Sequence, residues 1–151
     1  MKKLIGLLLL LPLGAAEPAG YKYWSAAELK SMAQTLAPKV NAQKVVAEDL
    51  AKFGADRAVM VHREASGAAE LHKTDADLIV VVSGTGTLIV GGTMPGSKTT
   101  TPGEVRAPSI DGGARQKIAP GDILHIPSKT PHQMLLEPGT QITYFTLKVK
   151  E

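Results

Sequence analysis

An all-β fold, either an antiparallel sandwich or a barrel, is predicted by two observations. From Val45 onward the chain is a succession of short apolar or alternating segments, each bounded by Gly or Pro. Helical periodicity is confined to one stretch near the N-terminus. Many short strands separated by turn residues pack as sandwiches or barrels. With 151 residues the chain is long enough for one domain with its own core. No internal repeat is visible.

Residues 1–16 read as a secretory signal peptide. Met1-Lys2-Lys3 is a basic start, Leu4 to Leu13 is an apolar run broken only by Gly6 and Pro12, and Gly14-Ala15-Ala16 supplies the small residues of a cleavage site. The run is short for a bilayer span, which places a retained anchor second. With no Cys, the chain has no residue to carry a lipid, no disulfide and no thiolate chemistry. A periplasmic or secreted protein starting at Glu17, with no stable membrane insertion after cleavage, is the expectation. Loss of Lys2 and Lys3 would leave 15 basic residues against 14 acidic ones. There is no basic block and no interleaving of aromatic with basic residues, so nucleic acid is not an expected partner.

Residues 17–44 form an N-terminal extension. Tyr21, Tyr23 and Trp24 supply half of the six aromatic residues. We read them as an apolar clasp onto the main domain, with ligand stacking as the alternative. Ser25-Ala26-Ala27-Glu28 is a capping box, and Leu29, Met32 and Leu36 continue at helical spacing. The expected helix runs from about Ala26 to Leu36 and ends at Pro38.

Residues 45–151 form the β domain. Ala58 to His62 is a strand, and the continuously apolar Leu78 to Val82 reads as a strand buried on both faces. Gly84-Thr85-Gly86 reads as a turn, with Thr87 to Val90 as the return strand. The Gly-, Pro-, Ser- and Thr-rich residues 93–108 read as a loop, with a lid, a dimer contact or a plain excursion as its possible roles. Ile110-Asp111-Gly112-Gly113 has hairpin-turn chemistry. Pro120-Gly121-Asp122 turns into a strand at Ile123 to Ile126. Strands at His132 to Leu136 and Gln141 to Val149 complete the domain.

The chemistry concentrates at Glu70-Leu71-His72, Asp77 and His132. Residues two apart on a strand share a face, so Glu70 and His72 point the same way. Joined by Asp77 and His132, they make an all-N/O set suited to Fe(II), Mn(II), Zn(II) or Ni(II). The bland alternative is a surface acid, a hydrogen-bonded His and a turn Asp. His62 and His125 sit in apolar strands and read as core or rim histidines, with His125 the better candidate to support a ligand. On the strand after His132, Met134 and Leu136 share its direction. Tyr144, Thr146 and Lys148 share one face of the last strand, where Tyr144 is a candidate hydrogen-bond donor or proton carrier. Arg63, Arg106, Arg115 and Lys129 read as solvated surface bases, with attraction of an acidic substrate as the alternative.

Two local patterns resemble the paired motifs of the cupin superfamily. Gly67, Glu70, His72, Asp77 and Gly84 resemble the first, in which a Gly precedes two His spaced two apart, then a Glu and a further Gly. Gly121-Asp122-Ile123-Leu124-His125-Ile126-Pro127 and His132 resemble the second, and together they span about residues 58–149. The resemblance implies a single-domain jelly-roll β-barrel, often a homodimer, with a divalent metal held inside by Glu70, His72, Asp77 and His132. Glu70 stands where the family has His, and Asp77 where it has Glu. Asp77 is one methylene shorter, so it reads as a ligand, or as a water-mediated general base that leaves a three-ligand centre with open positions. The implied function is a metal-dependent enzyme acting on a small molecule by oxygenase, isomerase or lyase-type chemistry, with Asp77 and Tyr144 as catalytic candidates. A periplasmic protein that only binds a sugar or organic acid is the alternative, and a structural or storage role is a third.

Overall fold

The computed structural model describes residues 16–151; the expected signal peptide, except Ala16, lies outside the described residues. A helix, α1 (Ala26–Leu36), is capped as its sequence demands. Ser25 Oγ accepts from the Glu28 backbone N–H at 3.1 Å, and the Glu28 carboxylate accepts from the Ser25 N–H at 2.7 Å. A 3₁₀ turn over Ala37–Lys39 takes the chain past Pro38. No helix among the described residues is long and apolar enough to cross a membrane.

Eleven strands follow among the described residues: β1 (Val45–Phe53), β2 (Asp56–Arg63), β3 (Ala69–His72), β4 (Asp75–Gly84), β5 (Gly86–Val90), β6 (Lys98–Thr101), β7 (Glu104–Ala107), β8 (Ala114–Ile118), β9 (Ile123–Ile126), β10 (His132–Leu135) and β11 (Ile142–Lys150). They form two antiparallel sheets. One has the order β1-β2-β11-β4-β9 and the other β6-β7-β3-β10-β5-β8. Inward residues of both sheets make the core, with Val59, Val61, Ile79, Val81 and Tyr144 from the first meeting Leu88, Ile118 and Met134 from the second. The architecture is the expected jelly-roll barrel.

Three local expectations are corrected. Residues 93–108 are not a plain loop, because β6 and β7 form there and β7 pairs along the whole of β3. Thr87 to Val90 does not return beside β4. It enters the opposite sheet, where β5 lies between β10 and β8. Gly84 makes that crossing: its φ is +74°, and a Cβ there would collide with the Gln141 carbonyl. Asp111-Gly112-Gly113 turns the chain with positive φ at both glycines, but β7 and β8 are not neighbours, so it is not a hairpin.

α1 packs on the outer face of the first sheet. Leu36 and Ala33 are buried against Met60, Val82 and Phe145. Trp24 joins them, with its ring centroid 5.4 Å from that of Phe145. Trp24 is therefore the clasp, whereas Tyr21 and Tyr23 are exposed.

Candidate metal centre and its cavity

Strand register assembles the site. On β3, Glu70 lies opposite Arg106 of β7 on one side and opposite His132 of β10 on the other. His72 lies opposite Glu104. Across the barrel, Lys148 of β11 lies opposite Asp77 of β4. The period-two alternation of strands turns all of these side chains inward. Glu70, His72, Asp77 and His132 are thus gathered at one end of the barrel interior, with the imidazole centroids of His72 and His132 5.1 Å apart.

Each histidine is oriented by its Nδ1. His72 Nδ1 lies 2.8 and 2.9 Å from the two Glu104 carboxylate oxygens, which only accept. His132 Nδ1 lies 3.0 Å from the Thr130 carbonyl oxygen, also an acceptor. Both Nδ1 atoms must then donate, and in the neutral rings both Nε2 atoms turn a lone pair to the interior. One ligand atom from each of Glu70, His72 and His132 lies within 4.8 Å of the others. Two imidazole nitrogens and a carboxylate oxygen at that spacing fit a divalent transition-metal ion. Orientation of a metal-binding His by a carboxylate or carbonyl on its second nitrogen is the usual supporting arrangement.

Asp77 stands on the far side of the imidazoles. Its Oδ2 lies 3.3 Å from His72 Nε2 and 3.6 Å from His132 Nε2, while its Oδ1 accepts from Lys148 Nζ at 2.7 Å. The same ammonium lies 3.0 Å from His72 Nε2. Burial raises the Asp77 pKa, but the neighbouring His72 ring and the bonded Lys148 ammonium outweigh it, holding the carboxyl far below its ordinary range. A carboxylate so strongly held in its ionised form is a weak base.

The other groups follow the same rules. Burial pushes the Glu70 pKa up, yet Arg106 and Arg63 draw it below its ordinary value. Arg63 Nη2 donates to Glu70 Oε1 at 3.0 Å, and Arg106 Nη2 lies 3.4 Å from Glu70 Oε2 and 2.8 Å from Glu104 Oε2. Burial dominates at His132 and lowers its pKa. Burial and Lys148 oppose protonation of His72 as well, but the neighbouring Asp77 and Glu104 carboxylates leave its pKa raised. Tyr144 is buried, its pKa is raised chiefly by that burial, and its hydroxyl accepts from Arg63 Nε at 3.1 Å. Its own proton is therefore free for another acceptor in the cavity.

That cavity has a volume of about 500 Å³. Val59, Val61, Ile79, Leu88 and Met134 supply its apolar wall, and the charged centre closes one part of it. Thr146 lines it too; its Oγ1 is buried and makes no hydrogen bond among the described residues. An apolar chamber with a few convergent polar groups is the usual form of a small-molecule site.

Several sequence expectations change here. Arg63 and Arg106 are not solvated bases: both are partly buried and paired with Glu70. His125 is exposed on β9 and supports no ligand. His62 is buried under α1, with Nδ1 2.7 Å from Thr143 Oγ1, on the sheet face opposite the cavity. Met134 lines the cavity as expected, and Leu136, just past β10, packs against the same core. Sequence reasoning missed Glu104, which it placed in a loop, and did not use Lys148, although it set Lys148 on one face with Tyr144 and Thr146.

Comparison with solved structures agrees with the fold described above. No family model matches the sequence, and no curated protein sequence matches it. Solved structures do. An uncharacterised conserved protein with a double-stranded β-helix domain from Klebsiella pneumoniae superposes with a TM-score of 0.55 at 13% identity, over 85% of this chain and 90% of the other. A cupin-2 domain protein from Rhodospirillum rubrum gives 0.53 at 16% identity, over 72% of this chain and 62% of the other, so the present chain spans under two thirds of that protein. The polyketide cyclase RemF from Streptomyces resistomycificus gives 0.51 at 16% identity, over 74% and 70%. The fold is the cupin fold, the class that the paired motifs around Glu70 and His132 imply. Within it, the described residues form a barrel preceded by one α-helix, with a Glu–His–His group that could hold a metal ion.

Proposed function

We propose that this protein is an exported, divalent-metal-binding cupin that acts on a small molecule in its barrel. The observation that carries the reading is the pair of imidazoles held by Glu104 and Thr130, each offering a ligand atom within 4.8 Å of the other's and of a Glu70 oxygen. A bound Fe(II), Mn(II), Zn(II) or Ni(II) would supply Lewis-acid or oxygen chemistry there. The chain's own residues do the rest. Arg63 and Arg106 keep Glu70 ionised and aimed inward. Thr146 offers an unpaired hydroxyl to a ligand oxygen, and Tyr144 holds a proton that its raised pKa keeps in place. The apolar wall admits a compound with a hydrocarbon body and excludes water from around it. Oxygenase, isomerase and lyase-type reactions all fit such a chamber.

Small-ligand binding without catalysis is the second reading, favoured by the ion pairs that occupy Glu70 and Asp77. Export rests on the sequence pattern of residues 1–16. A homodimer is part of the reading, and the exposed Ile123, opposite Val80, with the exposed Leu78 two residues further along β4, offers an apolar patch for it.

Elemental analysis of the purified protein, beside its His72→Ala/His132→Ala variant, tests the centre. Near-stoichiometric metal in the parent and none in the variant supports it. No metal in either, after soaking with each ion, leaves only the binding reading. Sequencing of the protein's N-terminus after recovery from the cell envelope tests export, with a start at Glu17 expected.

A further inference from the structure

We propose that Lys148 is the resident cation of this centre, and that its ammonium and a divalent ion exclude each other. Nζ lies 2.7 Å from Asp77 Oδ1 and 3.0 Å from His72 Nε2. The His72 lone pair that it engages is the one a metal ion requires. One lone pair serves one cation at a time, and two cations a few ångströms apart in a partly buried site repel strongly.

Charge balance points the same way. Glu70, Asp77 and Glu104 are the carboxylates of the centre, and Arg63, Arg106 and Lys148 are its fixed cations. The signs cancel with no ion bound. The Lys148 side chain is 15% exposed and that of Asp77 7%, so neither charge is well hydrated and each depends on the other. Metal entry, which rests on the reading proposed above, therefore requires Lys148 to leave His72. While Lys148 holds its place, Asp77 is its counter-ion and not a metal ligand.

Calorimetric titration of the metal-free protein with Zn²⁺ and with Mn²⁺, on the parent and on Lys148→Met, tests this, together with their thermal midpoints. Met keeps an unbranched side chain one atom shorter and removes the charge. Lys148→Met is expected to bind Zn²⁺ about ten-fold more tightly or better. Without metal its midpoint should fall, because Asp77 loses its partner, and Zn²⁺ or the second change Asp77→Asn should restore it. Equal or weaker metal binding by Lys148→Met overturns the exclusion, and so does an unchanged metal-free midpoint. If neither protein binds either ion while Lys148→Met lowers the midpoint and Lys148→Met/Asp77→Asn restores it, the metal reading falls and Lys148 stands as the permanent cation of the barrel.

Discussion

His72 on β3 gives its Nδ1 proton to Glu104 on β7, at 2.8 Å, across a strand pair in which the two residues are direct partners. The contact sets which ring nitrogen faces the cavity. Glu104→Gln offers that nitrogen an amide that can donate as well as accept, so the tautomer is no longer imposed. Metal affinity should drop about 10- to 100-fold with little change in stability. Equilibrium dialysis against Zn²⁺ checks this, and an affinity equal to the parent's would show that Glu104 does not orient the ring.

Arg63 bridges Glu70 and Tyr144 with two different nitrogens. Arg63→Met removes both bonds and leaves Glu70 to Arg106 alone. A cost of about 2 kcal/mol is expected, since each acceptor is partly or fully buried. Arg63→Met/Glu70→Gln should recover much of it. Urea unfolding of the three proteins measures the coupling, and strictly additive losses would deny it.

Asp77 links stability to pH. Its folded pKa is depressed below the ordinary 3.8, so the unfolded chain takes up a proton first as the pH falls. The stabilisation is complete above the unfolded value and is lost as the pH falls through the folded one. Between about pH 4 and pH 2 the metal-free parent should lose stability more steeply than Asp77→Asn. Parallel curves for the two proteins would mean that the Lys148–Asp77 pair adds nothing to folding.

Thr146 has a buried hydroxyl without a partner among the described residues. Thr146→Val keeps the shape and removes the group, so the empty barrel should be unchanged or slightly more stable, by up to about 1 kcal/mol. Once a ligand is identified, its affinity should fall. A loss of stability in the unliganded variant would reveal a partner for this hydroxyl within the protein.

Gly84 sits where β4 ends and the chain leaves for the other sheet. Gly84→Ala combines a positive φ with a clash against the Gln141 carbonyl. A loss of about 1–3 kcal/mol is expected, read as a lower urea midpoint at unchanged slope.

The parts of this molecule that were legible beforehand are those whose signals are local. Ser25 and Glu28 mark the start of α1 because a capping box needs no tertiary context. Glu70 and His72 share a face because alternation is a property of one strand. Turns at Gly84 and Gly121 could be placed, but not the sheet that each following strand joins, since pairing depends on partners far along the chain. β6 was hidden because its residues, Lys98-Thr99-Thr100-Thr101, are exposed on both faces and carry no hydrophobic rhythm. With β6 and β7 hidden, Glu104 and Arg106 looked like loop charges. Lys148 shares a face with Tyr144 and Thr146 by alternation alone, but its place opposite Asp77 comes only from the register.

Phe145 stands between Tyr144 and Thr146 on β11, facing outward, with Trp24 against it and α1 beside it. The strand that carries ligand-facing groups on its inner side is thus backed by the N-terminal extension on its outer side. A fragment cut at residue 45 would keep every candidate site residue and still lay bare Met60, Val82 and Phe145. Such a fragment should be adhesive in solution and loose at β11. Recombinant work on the barrel should therefore begin its coding region upstream of Trp24.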